Sequence, residues 1–149
     1  MKQNDIINLY KNDLDVLSVV SCIKTKNTNV VLKGLSGDLN VITPVAISKN
    51  DNKNHCFVLE NKKSAMVFYS SLSRLLKKEK IFFFPYSHRK PYDFDYVNNA
   101  NVVFRTEAIE AIAKKTKEKK YLITYPEGLF EKTTNTQTKN KLSLTIKKG

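Results

Sequence analysis

An α/β fold is what this sequence predicts, a mostly parallel sheet flanked by helices. Short apolar runs at Val30–Leu32, His55–Glu60, Ile81–Phe84 and Tyr121–Tyr125 alternate with stretches of helical period, the order that builds parallel sheets. His55–Glu60 is too apolar to alternate, as expected of a strand covered on both faces. The first run passes through Gly34-Leu35-Ser36-Gly37 into a helical stretch, which is the setting of a phosphate-binding loop.

Taken in order, the chain opens with Ile6, Ile7, Tyr10, Leu14, Leu17, Val20 and Ile23 at helical spacings. Two short helices follow from this, an N-terminal cover for the sheet over residues 1–29, with the α/β unit over 30–149. After the glycine loop, Leu39, Ile42, Val45 and Ala46 fit one helix face, with Pro44 inside it to kink it or mark a late start. Asn61 is a good N-cap for the most clearly patterned helix, Ser64 to Lys78. Its apolar stripe is Ala65, Met66, Phe68, Tyr69, Leu72, Leu75 and Leu76, opposite a face of Lys62, Lys63, Ser70, Ser73, Arg74 and Lys77. Pro85 stops the Ile81–Phe84 strand. Phe104, Ala108, Ile109, Ile112 and Ala113 make the next helix, with Glu107 and Glu110 set near its start and Lys114, Lys115 and Lys117 near its end to complement the macrodipole. Pro126 suits the first position of a short helix through Phe130. Leu142, Leu144 and Ile146 alternate with polar residues as a half-buried strand.

The loop at 34–41 has the setting of nucleotide chemistry without its groups. In G-x-x-x-x-G-K-[ST], backbone amides cradle phosphates, the lysine reaches the terminal ones and the hydroxyl holds magnesium. Counted from Gly34, Leu39 replaces the second glycine, Asn40 the lysine and Val41 the hydroxyl residue. Asn40 brings no charge, Val41 no oxygen, and Asp38 a negative charge where phosphates would sit. The plainer reading is a strand-to-helix turn with Ser36 as N-cap. The acidic residue that would close an apolar strand to hold magnesium is also missing, since Thr124 and Tyr125 stand there.

At 149 residues the chain is one domain or part of a larger protein. No run of about 18 apolar residues spans a bilayer and no signal-peptide core follows Met1, so a cytoplasmic location without membrane contact is expected. A net charge of +12 suits a polyanion partner. Because only Arg74, Arg89 and Arg105 are arginine and the rest are lysines among many asparagines, a compositional bias gives the same picture. Cys22 and Cys56 are isolated, and His55 and His88 lie in no ligand or catalytic spacing, which makes both histidines surface residues. The loop Tyr86 to Tyr96 interleaves aromatics with Arg89 and Lys90, which can stack bases and hold phosphates or pack the loop onto its own domain. No catalytic or metal-binding constellation is present.

In order along the chain, several segments resemble a known family: Gly34-Leu35-Ser36-Gly37, the strand and helix from Phe57 to Leu76, Phe84-Pro85, Pro91-Tyr92-Asp93, Arg105-Thr106-Glu107 and Tyr125-Pro126-Glu127-Gly128-Leu129-Phe130-Glu131-Lys132. They are similar to the N-terminal UvrB-like region of the bacterial transcription-repair coupling factors, the Mfd family, over residues 30–149. The resemblance implies a degenerate P-loop NTPase fold like domain 1a of UvrB, with a vestigial, non-binding nucleotide loop at Gly34, Ser36, Gly37 and Asn40. It implies a longer parent, an ATP- and magnesium-dependent DNA translocase of transcription-coupled nucleotide excision repair that displaces stalled RNA polymerase and recruits UvrA. The motor and the UvrA contact lie elsewhere in that family, so this segment is expected to be a scaffold without cofactor. Its partners would be the other domains of the parent and, through the parent, UvrA, RNA polymerase and DNA. The stop at Gly149 without a closing helix agrees with a fragment, and the short link from Tyr96 to Arg105 leaves no room for UvrB's strand-parting hairpin. Arg89, Lys90, Tyr92 and Arg105 are the expected nucleic-acid or interdomain contacts. The alternative is a stand-alone basic nucleic-acid-binding domain.

Overall fold

The computed structural model of the chain describes residues 3–25, 28–77, 79–87, 99–114 and 116–133. Helices α1 (Gln3–Lys11), α2 (Leu14–Lys24) and α3 (Leu39–Ser48) precede a unit in which β1 (His55–Val58), α4 (Lys62–Leu75), β2 (Lys80–Phe84), α5 (Asn99–Ala113), β3 (Lys120–Thr124) and α6 (Pro126–Phe130) alternate. The three strands form one parallel sheet in the order β1-β3-β2, with His55 opposite Tyr121 and Ile81 opposite the same residue from the other side. The α/β class is therefore as the sequence predicts. The expected strand at Leu142–Ile146 lies outside the described residues.

One face of the sheet carries the main core. Phe83, Tyr121, Ile123 and Tyr125 meet Ala65, Phe68, Leu72 and Leu76 of the α4 region, together with Val45 of α3 and Ile7 of α1. Phe57 reaches Phe68 at 5.0 Å between ring centroids. Burying Phe68 and Leu72 contributes on the order of 1.5–3 kcal/mol each, and the period of α4 places both on one stripe while Lys62, Lys63 and Arg74 stay exposed. Asn61 caps this helix as its sequence predicts, its side chain accepting the Ser64 amide at 2.9 Å. On the other face, α5 lies along β2, with Ala108 and Ala111 buried and Phe82 beside Glu107, Glu110 and Ala111.

Several expectations are corrected. Val30–Leu32 forms no strand: the run lies outside regular structure and Val31 is 77 % exposed. A strand exists only where a neighbour accepts its backbone hydrogen bonds, and β1 and β2 are the strands that β3 pairs with. β1 alternates in burial instead of being covered on both faces: His55 and Phe57 turn to the core face, and Cys56 and Val58 to the other, where they are exposed. The N-terminal helices cover α3 more than the sheet. Val16 and Val20 of α2 pack with Ala46 in a cluster of their own, while Ile7 of α1 belongs to the main core. Helix α3 runs through Pro44 without ending. The missing donor at Pro44 would have met the carbonyl of Asn40, which is exposed to water on the outer side. α5 starts earlier than its charge pattern predicts, so Glu107 and Glu110 sit mid-helix and Lys114 follows its end.

Candidate functional site

Two regions are considered as sites, the glycine loop singled out by the sequence and the carboxyl ends of the strands, where open parallel sheets hold ligands. In the loop, Gly34 and Gly37 adopt left-handed backbone at φ 83° and 57°, and the space around both is open. Asp38 precedes α3 but makes no side-chain cap, so Ser36 and Asp38 leave the helix start to backbone alone. The amides of Leu39, Asn40 and Val41 donate to the carbonyls of Ser36, Gly37 and Asp38 at 3.2, 3.3 and 3.0 Å. These are the groups that a phosphate-binding helix N-terminus keeps free for its ligand. The residues present do not fit a nucleotide: the leading amides are turned into the turn itself, and Asn40, whose side chain is exposed, stands where the lysine would. Gly34, Ser36 and Asn40 are all exposed and no strand among the described residues adjoins them.

At the carboxyl ends of β2 and β3 the structure closes on itself around Arg105. This residue of α5 is 6 % exposed. Its Nη1 donates to the carbonyls of Pro85 at 2.8 Å and Gly128 at 2.9 Å, its Nη2 to the carbonyl of Glu131 at 2.9 Å, and the Glu131 carboxylate lies 3.2 Å away. The guanidinium also stacks 4.0 Å from the Phe84 ring centroid. Burial pulls it down from its ordinary protonation range, and Glu131 opposes that pull. Glu131 accepts in turn from the Ser87 amide at 2.8 Å and from the Ser87 hydroxyl.

Neighbouring groups complete the closure. The Thr124 hydroxyl, at the position where an acid would hold magnesium, donates to the Phe84 carbonyl at 2.8 Å. Tyr125 Oη accepts the Tyr86 amide at 2.9 Å, and burial pushes its hydroxyl up. Gly128 is required here: a Cβ would stand 2.7 Å from the Phe84 carbonyl oxygen and 2.8 Å from the Thr124 hydroxyl. The arrangement binds β2, α5, β3 and α6 to one another with polar groups that already have partners.

These contacts correct the place given to Arg105. Its donors are directed at three backbone carbonyls and one carboxylate within the domain, so it presents no guanidinium to nucleic acid or another domain. Arg89, Lys90 and Tyr92 lie outside the described residues.

The opposite end of the sheet carries a cluster that sequence reasoning missed. Lys119 donates to the carbonyls of Ser48 and Asp51 beyond α3, while Lys120 donates to those of Ala111 and Lys114 at the end of α5. Adjacent residues on a strand point to opposite faces, so two consecutive lysines hold the helix ends on the two sides of the sheet. His55 is half-buried rather than a free surface residue: its Nε2 lies 2.8 Å from Asp51, and its ring stacks 5.8 Å from that of Tyr121. Burial alone would push the Asp51 carboxyl up. The His55 hydrogen bond, the Lys53 amide and the Lys119 charge outweigh it and hold the group below its usual range. The signal for this cluster is Lys-Lys at the head of a strand, but the acceptors of Lys119 lie 71 and 68 positions away in sequence.

Among the described residues there is no group of three or more His, Cys, Asp or Glu side chains placed to hold a metal, and no helix long and apolar enough to cross a membrane. No protein-family model matches the chain, and neither does any curated protein or solved structure.

Proposed function

We propose that this chain is a nucleotide-free scaffold segment of a transcription-repair coupling factor, a degenerate P-loop unit resembling domain 1a of UvrB that carries no motor of its own. The observation that carries the reading is the glycine loop. It keeps the left-handed glycines of a phosphate loop, yet its Leu39, Asn40 and Val41 amides are bound to the carbonyls of Ser36, Gly37 and Asp38. The carboxyl ends of β2 and β3 support the same reading, since Arg105, Thr124, Tyr125 and Glu131 face one another there instead of a ligand. The parent would supply ATP hydrolysis and the contacts to UvrA, RNA polymerase and DNA, and this segment would pack against its other domains.

Titration of the chain with magnesium-ATP tests the loop, and saturation at micromolar nucleotide would refute the nucleotide-free reading. An antibody raised to this chain tests the rest. A native polypeptide far above 17.1 kDa that co-purifies with DNA-stimulated ATPase activity is expected, and a native band near that mass would refute the coupling-factor assignment.

A second reading, a stand-alone nucleic-acid binder, is favoured by the net charge of +12 and by the exposed Lys62, Lys63 and Arg74 of α4. It requires duplex DNA affinity that falls steeply with salt and weakens when these three residues are replaced by glutamine. Affinity unchanged by the replacement removes α4 as the contact.

A further inference from the structure

We propose that the free edge of β1 is a strand-addition site for an extended, acid-flanked polypeptide segment from outside residues 1–149. The inference goes beyond the scaffold reading, because it needs neither the coupling-factor assignment nor the loss of nucleotide.

The two edges of the sheet differ. At β2, Phe104 of α5 reaches around the strand to the main-core face, meeting Phe83 at 6.0 Å and Tyr69 at 6.3 Å between ring centroids. Helix α5 packs along that strand. At β1, the Leu59 amide donates to the Thr124 carbonyl at 2.9 Å, which fixes the phase of the parallel ladder. His55, Phe57 and Leu59 direct their backbone groups at β3, so those of Cys56 and Val58 point away from the sheet. No strand among the described residues lies on that side, and the Val58 side chain is 53 % exposed.

Edges that are meant to stay unpaired carry lysine, proline, an inward charge or a bulge. β1 is short, at four residues, but His55-Cys56-Phe57-Val58 carries no lysine and no proline, and its register with β3 is continuous over four consecutive pairs. The pattern suits pairing through the backbone, with side chains at alternate positions giving selectivity.

Charge selects the occupant. Lys53 precedes the strand, and Lys62 and Lys63 follow it, all exposed; of the nearby acids Glu60 is exposed and Asp51 is already paired with His55 and Lys119. Two copies of a chain of net charge +12 repel each other, which disfavours β1 pairing with itself across a two-fold axis. An incoming strand with apolar residues at alternate positions and carboxylates at its ends meets Val58 and the flanking lysines together.

The test uses the full chain and a synthetic peptide of alternating valine and threonine with a pair of glutamates at each end. Amide hydrogen exchange at Cys56 and Val58, read by NMR, is expected to be fast in the free chain and to slow about tenfold or more when the peptide saturates. A peptide ending in lysines instead is expected to bind about tenfold more weakly at low salt. Val58→Pro deletes an outward donor and Val58→Lys guards the edge at an exposed position. Each should abolish the slowing, and circular dichroism melts should show that Val58→Lys remains folded if the proline variant does not. Three results would overturn the proposal. Protection of both amides in the dilute free chain would place the chain's own segment on the edge, protection that grows with protein concentration would place a second copy there, and slowing that survives Val58→Lys would put the peptide elsewhere.

Discussion

Replacing Arg105 with methionine removes the guanidinium that joins α5 to the ends of β2 and α6 while keeping a side chain of similar length. The substitution leaves the carbonyls of Pro85, Gly128 and Glu131 without their donor and the Glu131 carboxylate without its cation, in a site where both side chains are under a tenth exposed. Removing one partner of a buried ion pair costs about 3–5 kcal/mol, because the remaining charge stays uncompensated. The Ser87 amide and hydroxyl still serve Glu131, which places the expectation at the lower end, about 3 kcal/mol. Set against a total stability of roughly 5–15 kcal/mol for a domain, that is a large fraction. The assay is urea unfolding followed by circular dichroism on the full chain, for Arg105→Met, Glu131→Gln and the double variant. The double variant should cost less than the sum of the singles by about 1 kcal/mol or more. A loss below about 1 kcal/mol for Arg105→Met, or strict additivity in the double variant, would refute the view that this pair closes the strand ends.

Other expectations follow from the same kind of geometry. Gly128→Ala places a methyl group against the Phe84 carbonyl and the Thr124 hydroxyl and should cost about 1–3 kcal/mol in urea unfolding, whereas an unchanged midpoint would mean that α6 shifts freely. Leu72→Ala empties a fully buried position and should cost about 2–5 kcal/mol, while Val67→Ala on the exposed side of the same helix should stay within about 0.5 kcal/mol, both read as shifts in urea midpoint. Asp51 has its folded carboxyl held below the unfolded value, so its contribution is complete above the unfolded range and is lost as pH falls through the lower folded value. The stability difference between wild type and Asp51→Asn should therefore be constant near neutrality and shrink below about pH 4; a difference that grows on acidification would reverse the sign of this reading.

Local patterns carried much of this fold. The stripe Ala65, Phe68, Leu72 and the cap Asn61 specify α4 within a few positions, and Pro126 marks the start of α6 because a proline suits the one helical position that needs no amide donor. What the sequence leaves hidden is pairing at long range. Val30–Leu32 reads like a strand, but an apolar triplet is common to strands and loops, and only a neighbouring edge decides between them. Arg105 reads as a surface cation because nothing near it in sequence announces the carbonyls of Pro85, Gly128 and Glu131 that surround it. The same holds for Lys119, whose acceptors are the carbonyls of Ser48 and Asp51 at and beyond the end of α3. The glycine loop is the intermediate case: its left-handed turn is legible in Gly34 and Gly37, and the turn bonds that occupy its amides are not.

The order β1-β3-β2 sets a condition on synthesis. A ribosome that has delivered the chain through Phe84 has made two strands that share no hydrogen bond with each other, and short helices that depend on packing for their stability. The strand that joins them arrives only with Lys120–Thr124, and until then the apolar sides of Phe57 and Phe83 have no common sheet to belong to. Until then the nascent segment keeps its largest hydrophobic faces unassembled, a period in which chaperones have something to hold. The sheet comes together in one step, so that a message cut short before Thr124 yields no smaller version of the domain.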